Sequence, residues 1–312
     1  MEQNNARILF MGTPSISSKV LRSLISNNYN IVGVVSQPDR PIGRKKIIEK
    51  TPTKLVAEEF NIPCYQPVKI RLDYEFVKEL KPDVIITFAY GQIVPQGLLD
   101  IPTIGCINLH GSLLPKLRGA APIQYSLINN EKITGVTLMK MIKEMDAGEM
   151  YDKEEVEIDE LDNSNSLFDK IAVAAEKLIL RALPKYINHE LIGVPQNEDE
   201  VTFARMIKPE QEKLDLNMSY KDFIGWVKGL SLEPGGYVFL NDVKFKILMA
   251  KYHSGEVSGQ IGEIVNADKK GLIIQLSDGQ VELLQVQLSG KKMMDGKSFC
   301  NGMRDLKGQI LK

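Results

Sequence analysis

Cysteine is nearly missing from this chain of 312 residues: Cys64, Cys106 and Cys300 are all it has. Their spacing fits neither a zinc site nor a dithiol redox motif, and an odd number without pairing partners suits a reducing cytosol. A cytoplasmic location is therefore expected. Histidine is as scarce, with only His110, His189 and His253. None stands at ligand spacing from another or from a cysteine, so no metal centre is expected. No apolar run reaches the length of a membrane span, and the first residues lack the apolar core of a secretory signal. A G-x-x-x-x-G-K-[ST] loop for ATP is missing. The turn after the first strand signal, Gly12-Thr13-Pro14, holds one glycine. A dinucleotide cradle needs several close backbone approaches there, so a nicotinamide cofactor is disfavoured. Repeats and low-complexity segments are absent as well.

What remains is the balance of an ordinary globular protein, 43% hydrophobic and 25% charged, in a length that makes one or two domains. A net charge of −1 rules out a basic footprint over the whole molecule. The charge is uneven, however. Residues 205–312 carry 16 Lys/Arg against 13 Asp/Glu. The stretch 40–54 holds Arg40, Arg44, Lys45, Lys46, Lys50 and Lys54 against Glu49 alone. This basic loop and the mildly basic tail are the two places suited to a polyanion.

The first half alternates strand and helix signals. Apolar strands are expected over 7–11, 31–36, 84–88 and 104–109, with a brief strand at 63–65. Helices are expected after Ser15, from Thr51-Pro52, and over 74–80 and 121–129. Strands this apolar are covered on both faces, which predicts a parallel sheet flanked by helices. Two further strands are expected over 135–141 and 149–158. A long helix begins at 163 or 164 and is expected to end at Pro184. Residues 188–201 turn polar and lose periodicity, as a linker does. Beyond them a helix over 220–230, carrying Trp226 on its apolar stripe, precedes closely spaced short strands, the pattern of a small β-barrel.

The chemistry gathers at 104–122, I-G-C-I-N-L-H-G-S-L-L-P-K-L-R-G-A-A-P. Side chains two apart on a strand share a side. Asn108 and His110 therefore project together where the strand becomes a loop. In doubly wound α/β folds that is the end at which ligands bind. An amide donor beside an imidazole can polarise a carbonyl and manage its protons. Asp146, in M-D-A-G-E-M, lies in a turn between two strand signals. A catalytic imidazole needs an acceptor to fix its tautomer, and Asp146 is the candidate.

These residues carry a resemblance. F-M-G-T-P at 10–14, V-V-S-Q-P-D-R-P-I-G-R at 34–44, A-Y-G-Q-I-V-P at 89–95, N-L-H-G-S-L-L-P at 108–115 and M-D-A-G-E-M at 145–150 resemble the methionyl-tRNA formyltransferases. Those enzymes are a branch of the folate-dependent formyltransferase family. The resemblance implies a Rossmann-like α/β formyltransferase domain over 1–188, a linker over 189–204 and an OB-like β-barrel over 205–312 that binds tRNA. It implies transfer of a formyl group from the co-substrate 10-formyltetrahydrofolate to the amino group of initiator methionyl-tRNA by a cytoplasmic monomer. Asn108, His110 and Asp146 match the catalytic trio. Ser112, Leu113, Leu114 and Pro115 match the folate-contacting loop, and Tyr90, Gly91 and Gln92 are expected to complete the folate wall. Arg40, Arg44, Lys45 and Lys46 match the loop set against tRNA. The second domain departs from the family at Ser231-Leu232-Glu233-Pro234-Gly235, where relatives show an aromatic. The alternatives are a formyltransferase for a small amine and a non-catalytic RNA-binding protein on the same frame.

Overall fold

The apolar runs become strands close to where the sequence predicts them. The computed structural model describes residues 5–42, 47–303 and 305–312. In chain order the first part contains β1 (Ile8–Gly12), α1 (Ser15–Ser26), β2 (Ile31–Val35), β3 (Arg40–Ile42), β4 (Ile47–Glu49), α2 (Pro52–Glu59) and β5 (Cys64–Tyr65). Then follow α3 (Glu75–Leu80), β6 (Val84–Phe88), α4 (Gln96–Leu99), β7 (Gly105–His110), α5 (Pro122–Ile128), β8 (Ile133–Lys140), β9 (Met150–Glu157) and α6 (Ser164–Ile187). One sheet runs β5-β2-β1-β6-β7-β8-β9. Its pairings from β5 through β7 are parallel, and β8 joins β7 antiparallel. Every residue of β1 and β6 is buried, as strands covered on both faces require.

Local chemistry explains the helix starts. Thr51 caps α2 by accepting the Lys54 N–H, and Pro52 occupies the first helical position, where its missing N–H costs nothing. In α1 the cap is Pro14, and Ser15 is the first helical residue. Gly12 is fixed by close approach, since a Cβ there would lie 2.7 Å from that of Ser17 and 2.9 Å from the Phe88 carbonyl oxygen. Ser17 Oγ donates to that same carbonyl, and Thr53 Oγ1 donates to the carbonyl of Gly12. Hydroxyls thus fill the turn where a dinucleotide fold would seat a pyrophosphate.

Pro184 does not end α6, which continues to Ile187. A proline removes one N–H bond from a helix. Here the flanking Leu183, Ala182 and Tyr186 are buried, so packing carries the helix through the interruption.

The later part contains α7 (Tyr220–Leu230), β10 (Gly236–Leu240), β11 (Val243–Ser254), β12 (Ile264–Asp268), β13 (Gly271–Gln275), β14 (Gln280–Leu288), β15 (Met294–Asp295) and α8 (Gly296–Gly302). The sheet order is β10-β11-β14-β13-β12, with β15 on β14. Residues 309–312 then run between its two edges. Phe239 and Lys312 exchange backbone hydrogen bonds at the β10 side, and Ile264 donates to the Gln309 carbonyl at the β12 side. Residues 309–312 thus bridge the two ends of the sheet, and it curls into a small barrel. Phe223, Val227, Leu230, Val238, Phe245, Ile247 and Val281 share its core.

The chain divides into two compact units, Met1–Pro122, Thr134–Glu157 and Phe168–Arg205 forming one, and Ile123–Ile133, Ile158–Leu167 and Met206–Lys312 the other. The boundaries differ from a simple cut near 189. Within the second unit a Cβ at Gly225 would come 2.6 Å from the Ile128 carbonyl oxygen, so α7 packs closely on α5 at that point. Residues 189–204, expected as a linker, are tied to the first unit: Arg118 donates its backbone N–H to Thr202 and accepts from Ala204.

Candidate active site

β7 sets the site. Asn108 pairs in register with Thr87 of β6, and Thr87 Oγ1 donates to Asn108 Oδ1 at 2.7 Å. With its oxygen engaged, the amide presents its N–H2 group outward. Among the described residues that group has no protein acceptor. Thr87 belongs to a run read from sequence as simply apolar, and its polarity within V-I-I-T-F was the one available signal.

His110, two residues on, is 5% exposed. Its Nε2 lies 2.9 Å from the Leu117 carbonyl oxygen. A carbonyl can only accept, so Nε2 carries a proton and donates it. Nδ1 faces Asp146 Oδ1 at 3.6 Å, within ion-pair range but beyond a hydrogen bond. The other carboxylate oxygen of Asp146 accepts the Gly119 N–H at 2.9 Å. Asp146 has φ +52°, and Leu117 has φ +60°. The left-handed conformation costs an L-residue on the order of 1–2 kcal/mol, so both positions need support from their surroundings. For Leu117 that support includes Thr202, whose hydroxyl accepts the Leu117 N–H at 2.9 Å. The structure thus brings His110 and Asp146 together, with Asn108 on the same strand as His110.

A cavity of about 350 Å³ opens nearby, lined by Leu99, Ile104, Cys106, Met141 and Ile142, with Lys140, Asp100 and His189 among its polar groups. The Met141 sulfur lies 3.2 Å from Thr87 Oγ1, so one wall of the cavity touches the threonine that holds Asn108. Burial pushes the Cys106 thiol up to about 12, leaving it a neutral, inert wall. Burial also raises the Tyr151 and Tyr186 phenols. Apolar and polar side chains share its lining, which suits a heteroaromatic ring that carries hydrogen-bonding groups.

The residues expected to touch folate stand differently. Ser112 is buried and donates its hydroxyl to the Lys116 carbonyl at 2.6 Å. Leu114 is buried, its N–H on Thr137 Oγ1; Pro115 is buried too, and Leu113 is half-exposed. Tyr90 is buried, its hydroxyl has no partner among the described residues, and burial raises its pKa. Gly91 is exposed with φ +87°. Gln92 accepts the Ile70 N–H at 2.8 Å and donates to the Pro67 carbonyl. None of these seven lines the cavity.

Arg40 is exposed at the start of β3, which pairs antiparallel with β4. Arg44, Lys45 and Lys46 lie outside the described residues. The base of this hairpin is anchored by Asp39, which pairs with Lys54 at 2.6 Å and accepts from Gln66 at 2.7 Å. Burial alone would raise the Asp39 carboxyl, but Lys54 and Gln66 together hold it below the usual carboxylate range.

Known proteins resemble this chain in sequence and in fold. The Formyl transferase family pattern matches residues 6–183, and that of the Formyl transferase, C-terminal domain, matches residues 206–304. A methionyl-tRNA formyltransferase from Bacillus pumilus is 46% identical over 98% of each chain. Another from Bacillus subtilis is 44% identical over 98% of this chain and 97% of its own. An N-formyltransferase from Helicobacter canadensis, solved with folinic acid and dTDP-3-aminofucose, shares the fold with a TM-score of 0.69 at 18% identity. It covers 88% of this chain and 98% of that one. Two domain patterns in the expected order and near-complete coverage by relatives at 46% and 44% identity converge: the chain belongs to the methionyl-tRNA formyltransferase family.

Proposed function

We propose that Asn108, His110 and Asp146 carry the transfer of a formyl group from 10-formyltetrahydrofolate to the α-amino group of methionyl initiator tRNA. The product is N-formylmethionyl-tRNA, the species that begins translation. One observation carries the residue assignment: an imidazole held between the Leu117 carbonyl and the Asp146 carboxylate, two residues from an amide turned by Thr87.

The chemistry follows from those side chains. A free α-amino group titrates near 7.7–8.0, so roughly a tenth or more of it is already neutral at pH 7. As the new C–N bond forms, negative charge builds on the formyl oxygen. Asn108 donates its N–H to that oxygen, while His110, its Nε2–H taken up by the Leu117 carbonyl, works through Nδ1 on the side of Asp146. Asp146 orients His110 and takes part in moving the proton that the amine gives up. The same proton is delivered to the nitrogen that leaves as the old C–N bond breaks. Removing one donor of this kind costs about 2.7–4 kcal/mol of barrier.

The cavity beside Met141 is the proposed seat of the folate ring. Ser112 to Pro115 and Tyr90 to Gln92 would act by shaping the loops at the strand ends. Arg40, Arg44, Lys45 and Lys46, with the basic residues of 205–312, are the proposed tRNA contacts. The protein is taken to work in the cytoplasm, which its three free cysteines suit, and as a monomer. The test offers the enzyme 10-formyltetrahydrofolate with charged initiator tRNA, and in parallel with an amino-sugar nucleotide. Formylation of methionyl-tRNA is expected. Formylation of the small amine alone would replace this assignment with the rival one.

A further inference from the structure

Residues 189–203 are polar, aperiodic and largely exposed, with one exception. Gln196 is 9% exposed and is the sole buried residue of that stretch. A primary amide tolerates burial only when its donors and acceptor are met. Gln196 Nε2 donates to the carbonyl oxygens of Asp146 and Gly148, each at 2.8 Å. Its Oε1 accepts from Arg118 Nε at 2.9 Å. The Arg118 guanidinium is itself buried and is completed on its outer side by Glu198 at 2.8 Å.

The two carbonyls belong to the turn that presents the catalytic carboxylate. Asp146 is left-handed there, and Gly148 is packed so closely that a Cβ would come 2.0 Å from the Lys140 carbonyl oxygen. Without Gln196 both peptide groups would lose their buried donor, and the turn could relax. Six residues further on, Thr202 holds Leu117, whose carbonyl takes the proton of His110 Nε2. One segment therefore pins the acceptor on each side of the imidazole. Thr202 is exposed, so water can stand in for its hydroxyl. Gln196 is enclosed and has no substitute.

We infer that Gln196 is a positioning residue for formyl transfer. It touches no reacting atom and acts by holding the Asp146 carboxylate against His110, with Arg118 holding Gln196 in turn. The inference rests on the assignment of His110 and Asp146 to proton transfer. Those two claims are separable by experiment.

The test is a double-mutant cycle with kcat and KM measured for wild type, Gln196→Glu, Asp146→Asn and the double variant. Glutamate keeps the shape and still accepts from Arg118, but it sets a carboxylate oxygen against two carbonyls. A displacement of about 1 Å at a catalytic group costs about 10²-fold. Gln196→Glu is expected to lower kcat by about that factor and to leave KM for both substrates within about twofold. On the Asp146→Asn background it should have no further effect, because residues that act through one another are not additive. Should the buried carboxylate unfold the chain, Gln196→Met, similar in volume and without donors, enters the same cycle. Wild-type kcat in the Gln196 variants, or the same loss repeated on top of Asp146→Asn, would overturn the inference and leave the Asp146 assignment standing. Wild-type kcat in Asp146→Asn would instead remove that assignment and this inference with it.

Discussion

Replacing Thr87 by valine tests how the oxyanion donor is oriented. The two side chains have nearly the same shape, so β6 and β7 keep their register. Only the hydroxyl disappears, and with it the 2.7 Å bond to Asn108 Oδ1. A hydrogen bond of this kind contributes about 0.5–1.5 kcal/mol net. That energy now selects the orientation with N–H2 facing the formyl oxygen. The reversed amide would present oxygen to oxygen and is unproductive. Losing the selection lowers the ratio of productive to reversed amide by about 2 to 13, so the productive fraction falls from about 0.7–0.9 toward about one half. Asn108→Ala removes the donor itself and is expected to cost about 10²–10³ in kcat. Single-turnover formylation of methionyl-tRNA, with enzyme in excess, reads both effects without product release. The order expected is wild type, then Thr87→Val slower by up to about twofold, then Asn108→Ala. Thr87→Val should add nothing on the Asn108→Ala background. A Thr87→Val enzyme as slow as Asn108→Ala, or one with the wild-type rate, would refute the orienting role.

Two further perturbations probe the surroundings. Replacing Arg44 and Lys45 by alanine should weaken tRNA binding and flatten the slope of log K against log salt by about 0.7–0.9 for each phosphate no longer neutralised, as measured by filter binding over a salt series. An unchanged slope would clear the hairpin of that role. At its base, the Asp39 carboxyl is held below its ordinary value of 3.8 in the fold. Its pairing therefore stabilises the fold above pH 4, and that contribution is lost as pH falls below the unfolded value toward the folded one. Urea unfolding of wild type and Asp39→Asn should differ at pH 6 and converge near pH 2. A difference that persists in acid would contradict the linkage.

Much of the site was legible because a strand has a period of two. That period alone placed Asn108 and His110 on one side of β7, and apolar runs placed β7 in a parallel sheet. Asp146 was legible as a turn residue and a candidate acceptor for the imidazole, and the resemblance matched it to the same trio. Other features were hidden for physical reasons. Gln196 sits where periodicity fails, and its burial comes from hydrogen bonds to distant backbone, which leave no pattern in neighbouring residues. Leu117 acts through its carbonyl, which every residue has. Pro184 looked like a helix end because local propensity says so, yet the packing of Tyr186 and Leu183 outweighs it. The cavity is built from Leu99, Cys106 and Met141, residues whose apolar character fits a core equally well.

The pairing of His110 with Asp146 lies at the centre of the account, and the rate of formylmethionyl-tRNA formation by His110→Ala tests it most directly. Proton transfer by a positioned imidazole contributes about 10²–10⁴-fold, so that variant should lose activity by such a factor while still binding tRNA and folding as the wild type does. A His110→Ala enzyme that formylates methionyl-tRNA at the wild-type rate would contradict the account.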